Sequence, residues 1–400
     1  SFPTRRSSDL AGRMKERFRS PEMSLLRQSV RLDDFTVAVS QAEEIIRNNL
    51  IDWDDVYARS DFHSIKPQVW YLLKKLPQGV VPAQVLVRFE EAYKENLLQQ
   101  LRNAGEFFSV TDALSARGIT AVPFKGFWLA HDVYGDLGDR ESSDVDLFVN
   151  AKDVERIKPV MKELGFVVQD TLTKLREEYV FKELAEYNFN RWAEDGARLS
   201  HIEFHWRMGL RPYRMNIRME DLSSQVITCT LQNRKFRALT PEANLILAVM
   251  HHGGKDRFVR LKNILDIARL VSKYKDLNWD WILGTAQRFR VEKLVFLGVY
   301  IASGINVLRV PRLISDKVSE ACIRMLGNNR IKRMAITVSE WYTFSDELRG
   351  WFFKIRSRDG LLIKMQLGYY TLRKILMPTM VPFRWRHYFF NKKILAPDDK

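Results

Sequence analysis

Apolar residues recur along the chain with two different spacings, which predict helices towards both ends and a small sheet between them. Before residue 118 they recur at helical spacing in five segments, at residues 34–49, 53–58, 65–76, 82–102 and 107–117. Short apolar runs at residues 119–124 and 145–149, and an alternating run at residues 201–206, have the pattern of strands. Helical spacing returns at residues 151–164 and from residue 243 onwards. We therefore predict an α+β fold in which a small mixed sheet is flanked by N- and C-terminal helical regions.

Glycine and proline residues at the ends of these segments predict how the chain is divided. We expect an N-terminal helical region at residues 11–117, a core that contains the sheet at 118–235, a C-terminal helical domain at 236–330 and a basic, aromatic-rich tail at 331–400. Residues 1–10, SFPTRRSSDL, match one reading frame of a common sequencing-library adapter, so we expect them to be an artefact rather than native sequence.

The chain is strongly basic, with a formal net charge of +15 and a pI of about 9.7. Such a surplus suits nucleic acid, the phosphates of a nucleotide or an anionic membrane surface as a partner, and it also suits a generally basic soluble surface. Two cysteines, Cys229 and Cys322, exclude a disulfide framework or a four-cysteine zinc site and favour a reducing, cytoplasmic location. No segment reaches 18 consecutive apolar residues, and residues 294–308 are predicted to form a buried helix.

Two aspartates at the second predicted strand carry the main chemical signal. Asp144 and Asp146 are two residues apart, so in a strand their side chains share one face while Val145 and Leu147 face the core. Paired carboxylates are hard oxygen ligands suited to Mg²⁺ or Mn²⁺. Nucleotidyl transfer needs such ions because negative charge builds up on the reacting phosphate. A D-x-D pair also occurs in solvated loops, so its neighbours decide the interpretation.

Glycine and basic residues precede this pair. Lys125 and Gly126 lie where the strand at residues 119–124 gives way to a short helical pattern, and a glycine there lets the backbone approach a phosphate. Lys125 either contacts a triphosphate oxygen or is a surface lysine on a tight turn. Arg140 either binds phosphate through its two-pronged guanidinium or is an ordinary loop arginine.

The sequence HIEFHW at residues 201–206 supplies another polar face. His201, Glu203 and His205 share one side of this predicted strand, and apolar residues alternate with them on the other side. Glu203 is a candidate third carboxylate that holds metal or accepts a hydroxyl proton, and His205 would orient a carboxylate or contact the nucleotide. The alternative is an edge strand whose polar side faces water.

A basic cluster surrounds the Gly-Gly pair at residues 253–254, where an apolar helix ends. The cluster consists of His251, His252, Lys255, Arg257 and Arg260. These residues are candidates to hold the phosphates of a nucleotide or an acceptor over the cleft, and the alternative is that they complement the dipole of the helix end. On the following helix, Lys262 and Asp266 are predicted to be surface residues.

Aromatic residues interleave with Lys and Arg from residue 351 to residue 390. This pattern is typical of a surface that stacks on nucleic acid or lies on an anionic membrane. It is equally typical of a peripheral helical subdomain with an amphipathic face.

Together these motifs resemble the polymerase-beta-type nucleotidyltransferase superfamily, and more narrowly a family of uncharacterised bacterial nucleotidyltransferases. The resemblance rests on F-K-G at residues 124–126, Tyr134, R-x-x-S-D-x-D-L-x-V at residues 140–149 and E-F-H-W at residues 203–206. With further likeness in the helical segments on either side, it covers roughly residues 35–310. Two departures are a Lys-Gly pair where Gly-Ser is usual in the superfamily, and Glu203 where aspartate is common.

The resemblance implies a polymerase-beta-like core at residues 118–235 that moves a nucleoside monophosphate from a nucleoside triphosphate to an acceptor hydroxyl and releases pyrophosphate. It assigns Asp144, Asp146 and Glu203 to catalysis and to Mg²⁺ or Mn²⁺. Together with the residue patterns, it assigns nucleotide binding to Lys125, Gly126, Arg140, His205, Lys255 and Arg260. The acceptor stays open between a sugar, a small metabolite, a protein side chain and RNA. Two alternatives also stay open, a catalytically silent nucleotide-binding scaffold and an RNA-binding protein.

Overall fold

Five strands form a mixed sheet in a computed structural model that describes residues 20–168, 185–208, 215–305, 308–336 and 344–376. The strands are β1 (Ala121–Pro123), β2 (Val145–Val149), β3 (Val167–Val168), β4 (Glu186–Trp192) and β5 (Arg198–His205), in the spatial order β1-β2-β5-β4-β3. β2 and β5 are parallel, whereas β1 pairs antiparallel with β2 and β4 pairs antiparallel with β5. A separate hairpin consists of β6 (Val226–Leu231) and β7 (Arg234–Leu239).

Helices precede, cover and follow the sheet. Before it come α1 (Pro21–Ser29), α2 (Phe35–Asn48), α3 (Trp53–His63), α4 (Lys66–Leu73) and α5 (Ala83–Ser115). Within the core lie α6 (Phe127–Leu129), continued by a π-helical turn at Ala130–Tyr134, and α7 (Val154–Glu163). After it come α8 (Pro241–Val249), continued by a π-helical turn at Met250–Lys255, α9 (Leu261–Lys273), α10 (Trp279–Arg288), α11 (Glu292–Ile305), α12 (Arg312–Val318), α13 (Ala321–Ile336), α14 (Phe344–Arg356) and α15 (Leu361–Leu376).

Several helices begin where the sequence supplies a side-chain cap. The carboxylate of Asp34 accepts a hydrogen bond from the backbone N–H of Val37 at the start of α2. Thr240 caps α8 in the same way, and Pro241 occupies the first helical position, where no backbone donor is needed. These caps explain why helix starts could be predicted from sequence in this chain.

Two apolar cores organise the fold. The first joins helices that are far apart in sequence, because Val69 and Phe89 of the N-terminal helices belong to the same buried cluster as Leu265 and Leu297. The second lies against the sheet and contains Phe107 of α5 together with Val145 and Leu147 of β2. The N- and C-terminal helices therefore share one core, and the predicted domain boundaries stay predictions.

The α+β fold with a small mixed sheet is confirmed, but two details differ from expectation. Separate helices expected at residues 82–102 and 107–117 form the single helix α5. An interior glycine such as Gly105 costs a helix only about 1 kcal/mol, and burial of Phe107 and Phe108 offsets this cost. The β6–β7 hairpin was not predicted from sequence, because most β6 side chains are not buried and leave a weak apolar pattern.

The described part of the aromatic-rich tail is helical and keeps apolar residues at its surface. The exposed members of α14 and α15 are Phe352, Leu361, Leu362, Met365 and Tyr369. None of the helices that the structure describes is both long and apolar enough to cross a bilayer. Residues 1–10 and 377–390 lie outside the described residues, and the membrane-surface role of residues 351–390 stays a prediction.

His63 joins the N-terminal helices to the C-terminal ones. It is the last residue of α3, its side chain is fully buried, and its Nδ1 accepts a hydrogen bond from the backbone N–H of Leu261, the first residue of α9 (3.3 Å). Burial, together with the positive charges of Arg59 and Arg260, lowers the pKa of His63 to about 3. The ring is therefore neutral in the folded protein at pH values where the unfolded chain, with a pKa of about 6.5, begins to take up a proton.

We predict that His63 makes the folded protein sensitive to acid. Because its pKa is lower in the folded state, the stability it contributes is present above pH about 6.5 and is lost as pH falls below that value, by up to about 1.4 kcal/mol per pH unit. The variant His63→Asn keeps an acceptor near the position of Nδ1 but does not titrate. In urea unfolding experiments from pH 8 to pH 5, the wild type should lose more unfolding free energy than the variant, so the difference between the two proteins should become smaller in acid. A difference that is constant over this range would contradict the assignment.

Candidate active site

The site is built on the two parallel strands at the centre of the sheet. In their register Asp146 of β2 lies opposite Glu203 of β5. The side chains next to them in sequence, Val145, Leu147, Ile202 and Phe204, enter the core that lies against the sheet, so Asp146 and Glu203 share the opposite face. β5 lies between β2 and β4. The polar face of HIEFHW is therefore not at an edge of the sheet, which removes the edge-strand alternative.

A buried histidine connects the two carboxylates. His205 Nε2 lies 3.0 Å from Asp146 Oδ1 and 3.3 Å from Glu203 Oε2. Ligand atoms of Asp146, Glu203 and His205 all lie within 4.8 Å of one another, which is close to twice a metal–oxygen distance of about 2.0–2.6 Å. The acids predicted from distant parts of the sequence thus converge on one point.

Lys125 approaches the same point from the turn after β1. Its Nζ lies 2.8 Å from Asp146 Oδ1 and 3.1 Å from His251 Nε2. The following Gly126 has φ +61° and ψ −136°, and a Cβ atom there would lie 3.2 Å from the backbone oxygen of Asp144. Glycine is therefore needed for both the backbone angle and the close approach of this turn to the loop that carries Asp144.

Asp144 is held beside this group rather than inside it. Its Oδ1 accepts a hydrogen bond of 2.7 Å from the Ser142 hydroxyl, and it is not among the three residues whose ligand atoms meet within 4.8 Å. The loop before it is fixed by amide side chains of α5, because Gln100 and Asn103 both donate to the Ser142 carbonyl and Asn96 donates to the Arg140 carbonyl. The N-terminal helices thus set the position of the loop.

Two cations balance the carboxylates. Burial alone would raise the pKa of Asp146, but Lys125 and the hydrogen bond from His205 outweigh it and lower that pKa to about 2. Burial likewise opposes ionisation of Glu203, whose pKa is nevertheless held well below its usual range by His201 and His205. Burial would lower the pKa of His205, but its carboxylate partners raise it to about 9. The imidazole is therefore protonated at neutral pH and donates from both nitrogens.

The donor set fits a hard divalent cation. Asp146 Oδ2 is buried and has no hydrogen-bond partner among the residues that the structure describes. Asn188 Oδ1, on the β4 position opposite Glu203, is likewise buried without a described partner. Buried oxygens without partners are unfavourable unless a bound ion or water satisfies them. Asp146, Glu203 and the nearby Asp144 would hold such an ion.

Sequence reasoning missed Glu186 as part of this site. Its Oε2 lies 3.3 Å from His205 Nδ1 and 3.4 Å from Lys255 Nζ. The residue stands opposite His205 in the β4–β5 register. Only the loose alternation that precedes residue 190 pointed to a strand there. Lys255, a predicted phosphate contact, thus lies at the rim of the site, paired with this acid.

Arg140 has a different position from the one predicted for a phosphate-binding residue. Its Nε and Nη2 donate to the two carboxylate oxygens of Asp266, each at 2.8 Å, and its Nη1 donates to the Gly126 carbonyl. Asp266 also accepts from the Tyr134 hydroxyl at 2.7 Å and lies 2.9 Å from His252 Nε2. All of these side chains are buried, so the two-pronged guanidinium of Arg140 is bound to Asp266 in the interior instead of being available to a phosphate.

Asp266 is therefore fully buried, and the prediction that it lies on the surface was wrong. α9 is amphipathic, but Arg140, Tyr134 and His252 pack against the part of its polar side that carries Asp266 and so bury this acid. Lys262 donates to the Glu141 carbonyl at 3.1 Å and is also not a free surface residue. Arg260 has its Nη1 3.2 Å from Ser64 Oγ and its guanidinium over the Phe62 ring.

The chain belongs to a family described as uncharacterised nucleotidyltransferase, whose family model matches residues 49–305 of the 400. No curated protein and no solved structure matches the chain. The matched range contains the sheet, the Lys-Gly turn, both strands that carry the acids and the buried Arg140–Asp266 pair. Membership of this family supports a transferase.

We predict that Arg140 acts through stability. The variant Arg140→Met leaves Asp266 as a buried carboxylate without its cation, so it should lower the free energy of unfolding by about 3–5 kcal/mol. Adding Asp266→Asn should restore part of that loss because the buried negative charge is gone. Arg312→Met, which removes one side of the exposed Arg312–Asp316 pair, is the matched control and should leave urea unfolding unchanged. Normal stability of Arg140→Met with weakened triphosphate binding would instead restore the phosphate-binding role.

Proposed function

We propose that this protein transfers a nucleoside monophosphate from a nucleoside triphosphate to an acceptor hydroxyl and releases pyrophosphate, on a polymerase-beta-like core that uses Mg²⁺ or Mn²⁺. The single observation that carries the proposal is the convergence of Asp146 and Glu203 on His205, with Asp146 Oδ2 buried and without a partner among the described residues. A polar cluster of this kind, next to a lysine and a glycine turn, suits a phosphate and its metal ion better than a structural ion pair.

Each residue has a role that follows from its surroundings. Asp144 and Asp146 hold the metal, and Glu203 completes the site. Because the pKa of Glu203 is held well below its usual range, this carboxylate is a better metal ligand than proton acceptor in the described state. His205 orients Asp146 and Glu203, since it contacts both. When bound, a divalent cation neutralises the charge that develops on the reacting phosphate.

Lys125 is the residue that we assign to the triphosphate. Its side chain is 12% exposed, and its ammonium lies 2.8 Å from Asp146 Oδ1. We call Asp144, Asp146 and Glu203 the carboxylate centre. The charges of Asp146, Asp144 and Glu203 outweigh burial and hold the pKa of Lys125 well above its usual range, so it stays charged. Gly126 allows the backbone of the same turn to come close to a phosphate. Lys255, at the rim beside Glu186, is the second cation on this side.

The acceptor is a sugar, a small metabolite, a protein side chain or RNA, and we propose no single one. A screen of labelled triphosphates against cell extract would identify it, because the label is transferred with the nucleotidyl group. A silent scaffold would bind the triphosphate and transfer no label. An RNA-binding protein would bind RNA with steep salt dependence that Asp146→Asn does not change.

We predict that Asp146→Asn abolishes Mg²⁺-dependent release of pyrophosphate. The substitution keeps the size of the side chain and removes the charge that holds the cation, so a loss of several kcal/mol in transition-state stabilisation should lower turnover by about 10³-fold or more. The matched control is Asp195→Asn, an aspartate in the exposed turn between β4 and β5, which should keep wild-type turnover. Equal turnover of wild type and Asp146→Asn would overturn the assignment of the metal site.

We predict that Lys125→Ala weakens triphosphate binding more than it weakens metal binding. Removal of the ammonium takes away a phosphate contact but leaves Asp146 and Glu203 to hold the cation. Titration with a fluorescent triphosphate should therefore show a higher dissociation constant, by about 10-fold or more, as expected for a lost charge-assisted hydrogen bond of about 1.5–3 kcal/mol. Mn²⁺ affinity should be unchanged or higher. Unaltered triphosphate affinity would contradict the role given to Lys125.

A further inference from the structure

A second group of possible ligand atoms lies at the C-terminal end of α8. His251, His252 and Asp256 have ligand atoms that all lie within 4.8 Å of one another. His251 Nδ1 is 3.4 Å from His252 Nδ1 and 3.4 Å from Asp256 Oδ2, and His252 Nδ1 is 3.8 Å from the same oxygen. Three different side chains therefore point one atom each towards a common centre.

The backbone of this segment brings the three side chains together. The π-helical turn at Met250–Lys255 is closed by a hydrogen bond from the backbone N–H of Asp256 to the carbonyl of His251 (3.1 Å), which sets the acid over the histidine five residues before it. Arg257 and Phe258 then adopt left-handed backbone angles, with φ 63° and 52°. Non-glycine residues in that region cost about 1–3 kcal/mol each, and π-helical turns of this kind are common at functional sites.

The spacing suits a shared metal ion better than direct hydrogen bonds. Hydrogen bonds between nitrogen and oxygen are usually about 2.7–3.2 Å long, and the three separations in this triad are all longer. Ligands at about 2.0–2.1 Å from a tetrahedral zinc ion lie about 3.3–3.4 Å from one another. Two of the three separations match that value.

The protonation states also suit a metal. Burial, aided by the charge of Lys125, lowers the pKa of His251 to about 4, so the ring is neutral at physiological pH. Burial would raise the pKa of Asp256, but the neighbouring His251 holds it well below its usual range, so the carboxylate is ionised. Ligand atoms must be free of protons before they can bind a metal.

The ring nitrogen of His252 that is not part of the triad, Nε2, has a carboxylate partner, as is usual for a histidine that binds a metal. His252 Nε2 lies 2.9 Å from Asp266 Oδ2, and Asp266 is itself fixed by Arg140 and Tyr134. Histidines that bind a metal usually donate their other ring N–H to a carboxylate or carbonyl, which fixes the tautomer. With Nε2–H given to Asp266, the Nδ1 lone pair of His252 is directed into the triad.

We propose that His251 Nδ1, His252 Nδ1 and Asp256 Oδ2 bind a divalent transition-metal ion of the zinc class, at a site separate from the carboxylate centre. Two imidazoles and one carboxylate favour Zn²⁺ over Mg²⁺, which prefers oxygen ligands. The side chain of Asp256 is 35% exposed, so an ion can reach the three ligand atoms from solvent. This proposal does not depend on nucleotidyl transfer.

Metal binding at this triad would change the partner of Lys125. In the described state Lys125 Nζ lies 3.1 Å from His251 Nε2. When His251 Nδ1 binds a metal, the ring proton moves to Nε2, and two donors cannot share a hydrogen bond. Lys125 is then released from His251 and is left to Asp146 and to an incoming phosphate. The zinc-class site thus acts on the carboxylate centre through one lysine.

Cobalt titration tests the proposal without any need for turnover. Metal-free protein in excess Mg²⁺, which occupies the carboxylate centre, is titrated with Co²⁺ and followed by its visible absorption bands. We expect one equivalent to bind and to be displaced by Zn²⁺. Asp256→Asn and His251→Gln should each lower Co²⁺ affinity by more than about 100-fold, beyond the 10–100-fold typical of outer-shell changes. Zn²⁺ should raise the melting temperature of wild type and of neither variant.

Two matched controls separate this site from the other histidines and from the carboxylate centre. His131→Gln removes a histidine outside the triad, and Asp146→Asn alters the carboxylate centre, so both should keep stoichiometric Co²⁺ binding. If Asp256→Asn fails to fold, as judged by circular dichroism, His251→Gln alone decides the result. Absence of stoichiometric Co²⁺ binding by wild type, or binding that Asp146→Asn removes and His251→Gln does not, would overturn the proposal. Because the titration is followed by absorbance and needs no turnover, its outcome tests the zinc-class site independently of the pyrophosphate assay, which tests nucleotidyl transfer.

Discussion

The parallel pairing of β2 with β5 is the constraint on which the rest of the site depends. Its register places Asp146 opposite Glu203 inside the protein, where two like charges repel far more strongly than they would in water. Such a pair persists only if cations lie against it, and Lys125 and the protonated His205 provide them. The positions of both cations match the two buried carboxylates that the strand register has brought together.

A second buried charge, on Asp266, connects that sheet to the helices. The Asp266 carboxylate contacts Arg140 from the loop before β2, Tyr134 from the turn after α6 and His252 from the end of α8. Removal of one partner would leave an unpaired charge in the interior, which is why such networks hold their members in one arrangement. The amides of α5 hold the same loop from the other side. The helical regions before and after the sheet therefore do more than flank it, since each fixes part of the loop that leads to Asp144.

The parts of the fold and site that could be predicted from sequence are those encoded by local spacing. Alternation with period two placed the polar face of β5 correctly. The i, i+2 spacing predicted Asp144 and Asp146 as a pair, and of the two only Asp146 has a ligand atom within 4.8 Å of those of Glu203 and His205. Spacing cannot reveal partners that only the tertiary fold supplies. Arg140 was predicted to bind phosphate because the sequence around it gives no sign of its partner Asp266, which lies 126 residues later. Glu186 was missed because the strand pairing that sets it against His205 is not visible in either segment alone.

Lys125 links two donor sets of different chemistry. Its Nζ is 2.8 Å from an oxygen of the carboxylate centre and 3.1 Å from a nitrogen of the histidine triad. A carboxylate attracts the ammonium at any pH at which both are charged, whereas a neutral imidazole does so only while its Nε2 is unprotonated. The balance between the two contacts is therefore set by the state of His251. Arg140 is bound to Asp266 and His205 lies between the two carboxylates, so the position of Lys125 decides how much further positive charge an incoming phosphate would meet there.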